Sequence, residues 1–501
     1  MNLAQHVERV AKRRPNHPAV LFEGKTLTYG VLDACANALA DSLVRHGVLR
    51  GDRVALFLPN IPAFALAYLA VLKAGAIAVS INSMFKWEEV RHIVTDSQPK
   101  VVFTTAELLP NVPRPDCPSI KHTVLCEGSE PDEIALEDWL ARGDPQFRAA
   151  NLQPDDPAAL LYSSGTTGRP KGVTLTHANI DSNSKMTAQV VGYKSADRLA
   201  LFLPLFHVFG QNFIMNAAFQ AGATLVLFRR FLPDAVLESV ARDRITKFFA
   251  VPTIYITLLD MDLSGHDLSS IGYYFSAAAP MPEEVSRRWT DRFGRRVFEG
   301  YGLTECSPFA CYNHATEHRF GSVGTATPGF ELAILDEDDR EVPRGQWGEI
   351  VIRGPGVMKG YWGKPEDTEQ ALSHGWLHSG DIGRMDDDRY VYIVDRVKDM
   401  INVSGFKVWP AEVEQVLYRH PAIKEVAVYG APDPLKGEQV RVAAVLKEGT
   451  NVRPEELAQF CRDHVASYKA PERVEIVSEL PKSATGKILK RVLREQARAR
   501  G

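Results

Sequence analysis

Apolar residues run almost without a break from Ile61 to Ile81, roughly the length that crosses a bilayer as a helix. Pro62, Lys73 and Gly75 interrupt the run, and Ala74-Gly75-Ala76 divides it. The pattern predicts a buried helix before the division and a strand, Ile77-Ala-Val-Ser-Ile81, after it, with no integral membrane segment. The same order returns downstream: a helix over 213–219, a break at Ala221-Gly222-Ala223, and a strand at Thr224-Leu-Val-Leu-Phe228. Short β-rich runs such as Arg53-Val-Ala-Leu-Phe, Val101-Val-Phe and Lys247-Phe-Phe-Ala-Val alternate with helical stretches up to about residue 330. This repetition predicts two similar α/β subdomains, each a largely parallel sheet covered by helices.

The texture changes near Gly321. Glu331-Leu-Ala-Ile-Leu and Glu349-Ile-Val-Ile-Arg, set apart by Gly, Pro and Asp, predict hairpins or a small β-barrel-like subdomain, and Tyr390-Val-Tyr-Ile-Val394 adds a strand. Beyond it, Pro410 opens a helix to about Tyr418 and Pro454 opens another, a position where proline costs no helical hydrogen bond. Between them Val426-Ala-Val-Tyr and Val440-Arg-Val-Ala-Ala-Val-Leu read as strands. The expected architecture is α/β. An N-terminal domain covers 1–395, with two α/β subdomains and a β-rich one from about 321; a hinge follows at 396–398, and a small α+β domain covers 399–501.

Composition narrows the class. The 501 residues are 45% hydrophobic, which excludes general disorder, and the length predicts roughly three folding units. With 58 Lys+Arg against 62 Asp+Glu the net charge is −4, which argues against a nucleic-acid partner, since that needs a basic face. Six cysteines lie scattered without a C-x-x-C pair, so neither a disulfide framework nor a zinc site is expected. Their spacing, and an N-terminus without a signal-peptide core, predict a cytoplasmic protein.

The densest chemical signal is Ser163-Ser164-Gly165-Thr166-Thr167-Gly168-Arg169-Pro170-Lys171-Gly172, directly after the apolar strand Ala158-Ala-Leu-Leu-Tyr162. Small residues let the backbone approach a polyphosphate, hydroxyls and amides donate to its oxygens, and the lysine adds charge. The segment departs from a P-loop, because Pro170 precedes Lys171 and Gly172 stands where that motif needs a hydroxyl. Ten consecutive residues of this character predict phosphate binding.

Together with four further motifs in the same order, this segment resembles the adenylate-forming acyl-CoA synthetases, relatives of luciferases and peptide-synthetase adenylation domains. The resemblance covers essentially the whole chain. It implies that a carboxylate attacks the α-phosphorus of ATP, that pyrophosphate leaves, and that a thiol such as that of CoA then takes the acyl group and releases AMP. In Tyr301-Gly302-Leu-Thr304-Glu305 the resemblance puts the aromatic near adenine, Thr304 near phosphate and Glu305 on Mg²⁺, a hard cation suited to carboxylate. In Ser379-Gly380-Asp381 it puts the carboxylate on the ribose hydroxyls, with Arg396 as the next ribose or phosphate contact. Lys487, in Thr485-Gly486-Lys487, corresponds to the lysine that meets the acyl carboxylate and α-phosphate. Such preorganised charge is often a large catalytic contribution. The C-terminal domain is expected to be mobile about Lys398. Lys407 would contact phosphate in the adenylating state, and Ser404 and Gly405 would line the CoA pantetheine path in the thioester-forming state.

Pro204-Leu205-Phe206-His207-Val208-Phe209 corresponds to the family's aromatic–histidine motif beside the acyl pocket and thiol channel. No Asp lies between Pro204 and Phe213, whereas amino-acid-activating relatives tend to carry one there for the α-ammonium. By motif offset, His207, Val208, Phe209, Phe213, Ala277, Ala279, Pro308 and Phe309 border an apolar pocket. The expected activity is that of a medium- or long-chain fatty acid, or other apolar acid, CoA ligase. An aryl-acid ligase, or an acyl-AMP ligase loading a separate carrier protein, are the alternatives, and a homodimer stays open. A P-loop phosphotransferase would release ADP instead. A merely ligand-binding relative would be expected to lack Lys487, Glu305 or Asp381, and all three are present.

Overall fold

The structure is a computed structural model, and it describes residues 1–164, 170–314, 317–396 and 399–500. Among the described residues the strands form four sheets. The first has eight strands, with Pro157–Ser164, Ile77–Ser80, Arg53–Leu56 and Val101–Thr104 parallel at its centre. The second has nine, with Val297–Gly302, Tyr273–Ser276, Lys247–Ala250, Arg198–Leu201 and Thr224–Leu227 running parallel. These are the two expected α/β units, each with a helix that ends on a left-handed glycine before its strand, Gly75 at φ 78° and Gly222 at φ 71°.

Two features depart from the sequence reading. The strand Pro18–Phe22 joins the second sheet, pairing in parallel with Thr224–Leu227 through Val20↔Leu225, so the units are not consecutive in the chain. The segment expected as a helix over 213–219 is π-helix over Phe209–Asn216, followed by a short α-helix, Ala217–Ala221. Phe209 and Phe213 within it pack edge to face at 5.2 Å.

The apolar run becomes the helix Pro62–Ala74, buried on nearly every side. Its one charged residue, Lys73, is 0% exposed, and its ammonium lies 2.7 Å from Glu8 and 2.8 Å from Asp33. A buried lysine needs such partners. No helix among the described residues is long and apolar enough to cross a membrane.

The β-rich unit is an open antiparallel sheet of Glu331–Leu335, Gly348–Arg353, Leu377–Met385 and Val391–Arg396. Sheet membership then changes: Ile401–Val403 belongs to a fourth sheet with Phe406–Val408, Ile423–Asp433 and Gly437–Leu446. That sheet has its own core, including Val413, Leu417, Val428, Val442 and Leu457. The expected hinge residue Lys398 lies outside the described residues.

Candidate functional site

A cleft of about 2070 Å³ opens between the carboxyl ends of the parallel strands, the half-open sheet and the C-terminal unit. Open α/β sheets place ligands at these strand ends. Ser163 and Lys171 face each other at the end of an antiparallel pair, Pro157–Ser164 with Pro170–Thr176. The glycine-rich segment therefore joins two strands, whereas a P-loop opens a helix. Helix His177–Val190 begins only after Thr176, which caps it reciprocally with Asn179. Gly165, Thr166, Thr167 and Gly168 lie outside the described residues.

Strand Val297–Gly302 runs into the short 3-10 turn Thr304–Cys306. A Cβ on Gly302 would stand 1.6 Å from the Pro308 carbonyl, so only glycine fits there. This close approach aims two groups into the cleft. The Tyr301 hydroxyl donates to Asp381 Oδ2 at 2.7 Å, and Asp381 Oδ1 lies 3.2 Å from Arg396 Nε. Glu305 Oε1 accepts from Ser163 Oγ at 3.0 Å and from the Tyr361 hydroxyl at 3.1 Å. Thr304 lines the cleft beside them. Residues scattered over more than 230 positions thus meet at one polar wall.

The C-terminal unit closes the opposite side with a turn and with Lys490, Arg491 and Arg494 of the basic helix Lys490–Arg500 that follows it. Ser483 N–H donates to the Lys487 carbonyl at 2.8 Å, and Gly486 adopts φ 81°. The Gly486 carbonyl accepts from Thr253 Oγ1 at 3.2 Å, which docks the turn on the N-terminal domain. Lys487 lines the cleft and stands close enough to His207 to lower that imidazole's pKa further. Burial is the larger cause, and together they bring His207 down to about 4. His207 is therefore neutral at physiological pH. Its Nδ1 accepts from Phe209 N–H at 3.2 Å, which leaves the ring proton on Nε2.

The second arm of the cleft is apolar. Val208, Phe209, Phe213, Ala277, Ala279, Pro308 and Phe309 all line the cleft. Ala278, between the two alanines, holds φ 72°, a strained conformation for a non-glycine residue of the kind found at ligand sites. The Phe213 ring stacks on Phe275 at 4.8 Å and meets Phe309 edge-on at 4.9 Å. Phe249 packs behind it at 5.6 Å without reaching the cleft. Phe213 thus sits at the centre of the aromatic cluster that lines the cleft.

Lys407 does not join the cleft. Its ammonium pairs with Glu337 at 3.3 Å on the surface, both side chains being mostly exposed. The expected phosphate contact of Lys407 is not made in this arrangement of the domains. The C-terminal unit docks by its Gly486–Lys487 turn, and the hairpin bearing Ser404, Gly405 and Lys407 is not among the cleft-lining segments. Sequence reasoning also missed Phe275, Tyr361, Asp367 and Gly300. Asp367, in the acidic first turn of helix Pro365–Ala371, pairs with Lys171 at 2.5 Å. The acidic helix start was visible in the sequence, but its partner nearly 200 residues away was not.

Comparison with known proteins agrees with this arrangement. The family model described as AMP-binding enzyme matches residues 7–362, and the AMP-binding enzyme C-terminal domain matches residues 412–487. A long-chain-fatty-acid–CoA ligase of Bacillus subtilis (strain 168) is 37% identical over 97% of this chain and 93% of its own length. A feruloyl-CoA synthase of Amycolatopsis sp is 36% identical, covering 97% of each chain. Among solved structures, an anthranilate CoA ligase in complex with anthranoyl-AMP superposes with a TM-score of 0.95 at 30% identity, covering 100% of this chain and 98% of that one. With both family models matched in order and full-length relatives at this identity, the chain belongs to the AMP-binding enzyme family, as an AMP-forming acyl-CoA synthetase.

Proposed function

We propose that this enzyme joins an apolar monocarboxylic acid to CoA, and that the residues predicted from the sequence divide the work between two walls of one cleft. The observation that carries the reading is one cleft in which Glu305 and Asp381 on one wall face Lys487 on the other, beside an aromatic stretch that carries the neutral His207. The aromatic cluster favours compact tails, aryl or medium-chain, within the wider range of fatty and other apolar acids. The feruloyl and anthranilate relatives support the aryl variant.

The chemistry needs no protein nucleophile. Tyr301 offers its ring to adenine, and Asp381 exchanges part of its pairing with Tyr301 and Arg396 for the two ribose hydroxyls. Lys487 meets the carboxylate and the α-phosphate, where charge builds as pyrophosphate leaves. Thr304, Ser163, Ser164 and the glycine-rich segment hold phosphate oxygens. Glu305 suits Mg²⁺: one carboxylate oxygen is oriented by Ser163 and Tyr361, and phosphate and water would complete the shell. When bound, Mg²⁺ neutralises charge on the phosphates.

Thioester formation requires the C-terminal domain to turn about the hinge at 396–398, withdrawing Lys487 and bringing the Ser404–Gly405 hairpin to the pantetheine path. Lys407 travels with that hairpin. A cytoplasmic setting belongs to this reading, supported by six unpaired cysteines. The deciding experiment is carboxylate-dependent ATP–pyrophosphate exchange across aryl, medium-chain and long-chain acids, followed by CoA-dependent AMP release. Exchange with none of them would sink the proposal.

A further inference from the structure

The cleft holds one carboxylate whose position is awkward for a triphosphate site. Asp367 lines the same cavity as Lys171, and its Oδ1 lies 2.5 Å from the lysine ammonium. Lys171 is the lysine of the glycine-rich segment, and its side chain is 11% exposed. The contact is built in by the backbone. Gly360–Tyr361 pairs with the Lys171 strand through Gly360↔Thr174 and Tyr361↔Val173. Thr368, next to Asp367, accepts from Tyr361 N–H with its Oγ1 at 2.9 Å. The Tyr361 ring supports the same ammonium at 5.2 Å, while its hydroxyl donates to Glu305.

We propose that Asp367 is a positioning residue that holds the Lys171 ammonium while phosphate is absent and competes with the triphosphate for it. An ammonium held by a carboxylate must give up that contact before it meets phosphate oxygens, so the pairing weakens ATP and pyrophosphate binding. In return, it keeps Lys171 extended over Tyr361 and recaptures the lysine when pyrophosphate departs. Asp367 thus trades nucleotide affinity for product release. This rests on the cleft being the ATP site and is independent of which acid is used.

The test is equilibrium binding of ATP and of pyrophosphate to the full-length enzyme, without acid. Asp367→Asn is expected to bind both about threefold to fivefold tighter, the range of a partly exposed ion pair, and Asp367→Glu to stay near wild type. Asp367→Ser, smaller and unable to pair, should match Asp367→Asn and covers the case in which the amide variant folds poorly. In a Lys171→Met background the Asp367→Asn effect should vanish. Unchanged or weaker ATP binding by Asp367→Asn and Asp367→Ser would overturn the proposal. So would an equal tightening in the Lys171→Met background, which would make the effect one of bulk charge. Wild-type enzyme that binds no ATP would instead overturn the nucleotide reading itself.

Discussion

Truncating Phe213 to alanine tests directly the proposal that the aromatic stretch of the cleft takes the acyl tail and that this ring closes it. The ring is 1% exposed and touches four other phenylalanine rings, at 4.8 Å (Phe275), 4.9 Å (Phe309), 5.2 Å (Phe209) and 5.6 Å (Phe249). Rotation alone does not open the arm, because any new rotamer must break several of these contacts within a close-packed cluster. Alanine there should cost about 3–5 kcal/mol of stability through the cavity left behind. The same cavity extends the arm toward Phe249. Each additional methylene that it buries is worth about 0.8 kcal/mol, roughly fourfold in kcat/KM, so about three methylenes give on the order of 50-fold. The assay is kcat/KM for pyrophosphate release over straight-chain acids from hexanoate to palmitate, with benzoates and cinnamates alongside. The variant should shift its optimum to longer acids and lose selectivity for compact ones. Gly300→Ala should do the opposite, because its Cβ would fall 2.5 Å from both Phe275 Cζ and Phe309 Cε2. A wild-type enzyme that handles palmitate with the same length profile as Phe213→Ala would refute the assignment of Phe213 as the end of the pocket.

Lys487→Ala should slow adenylation by about 100-fold or more while sparing thioester formation from preformed acyl-adenylate; single-turnover assays of the two half-reactions decide it, and equal losses would refute the role. Asp260 lies 3.4 Å from Lys424 of the C-terminal unit and 3.9 Å from Arg288, so it latches the docked arrangement. Lys424→Ala should lower adenylation about twofold to fivefold relative to thioester formation, an effect that fades at high salt; the same single-turnover ratio, unaltered, would count against the latch. His177 is 0% exposed, accepts from Leu3 N–H at Nδ1, and is lowered to about 4, chiefly by burial and then by the N-terminal ammonium. The unfolded chain takes up this proton near pH 6.5 and the folded one only near 4, so stability is full above 6.5 and declines as pH falls between them. The loss is about 3 kcal/mol. Urea denaturation across that window should show it, and His177→Gln should flatten the slope.

The chemistry-bearing residues of the polar wall were largely legible because they sit in short local motifs. Tyr301 through Glu305 runs from a strand end into a 3-10 turn, Thr485 through Lys487 forms a turn, and Ser379 through Asp381 lies within the strand Leu377–Met385 at a left-handed Gly380; each is a local conformation that glycine marks in the sequence. The aromatic–histidine segment was legible for the same reason, although its conformation was not. A helical run of apolar residues does not distinguish an α-turn from the π-turn of Phe209–Asn216. The position of Lys407 outside the cleft was not legible, because a motif gives a residue's chemistry without the orientation of the domain that carries it.

Sequence alone determined the alternation of helices and strands, the two α/β units, and the charged and apolar residues of one cleft. Periodicity and turn residues act over a few positions, so they can be read along the chain. Only the tertiary structure decided that Pro18–Phe22 completes the second sheet, that Lys487 rather than Lys407 faces the cleft, and that Asp367 holds Lys171. Those outcomes depend on contacts between residues far apart in the chain, set by sheet register and domain docking, and no local pattern encodes them.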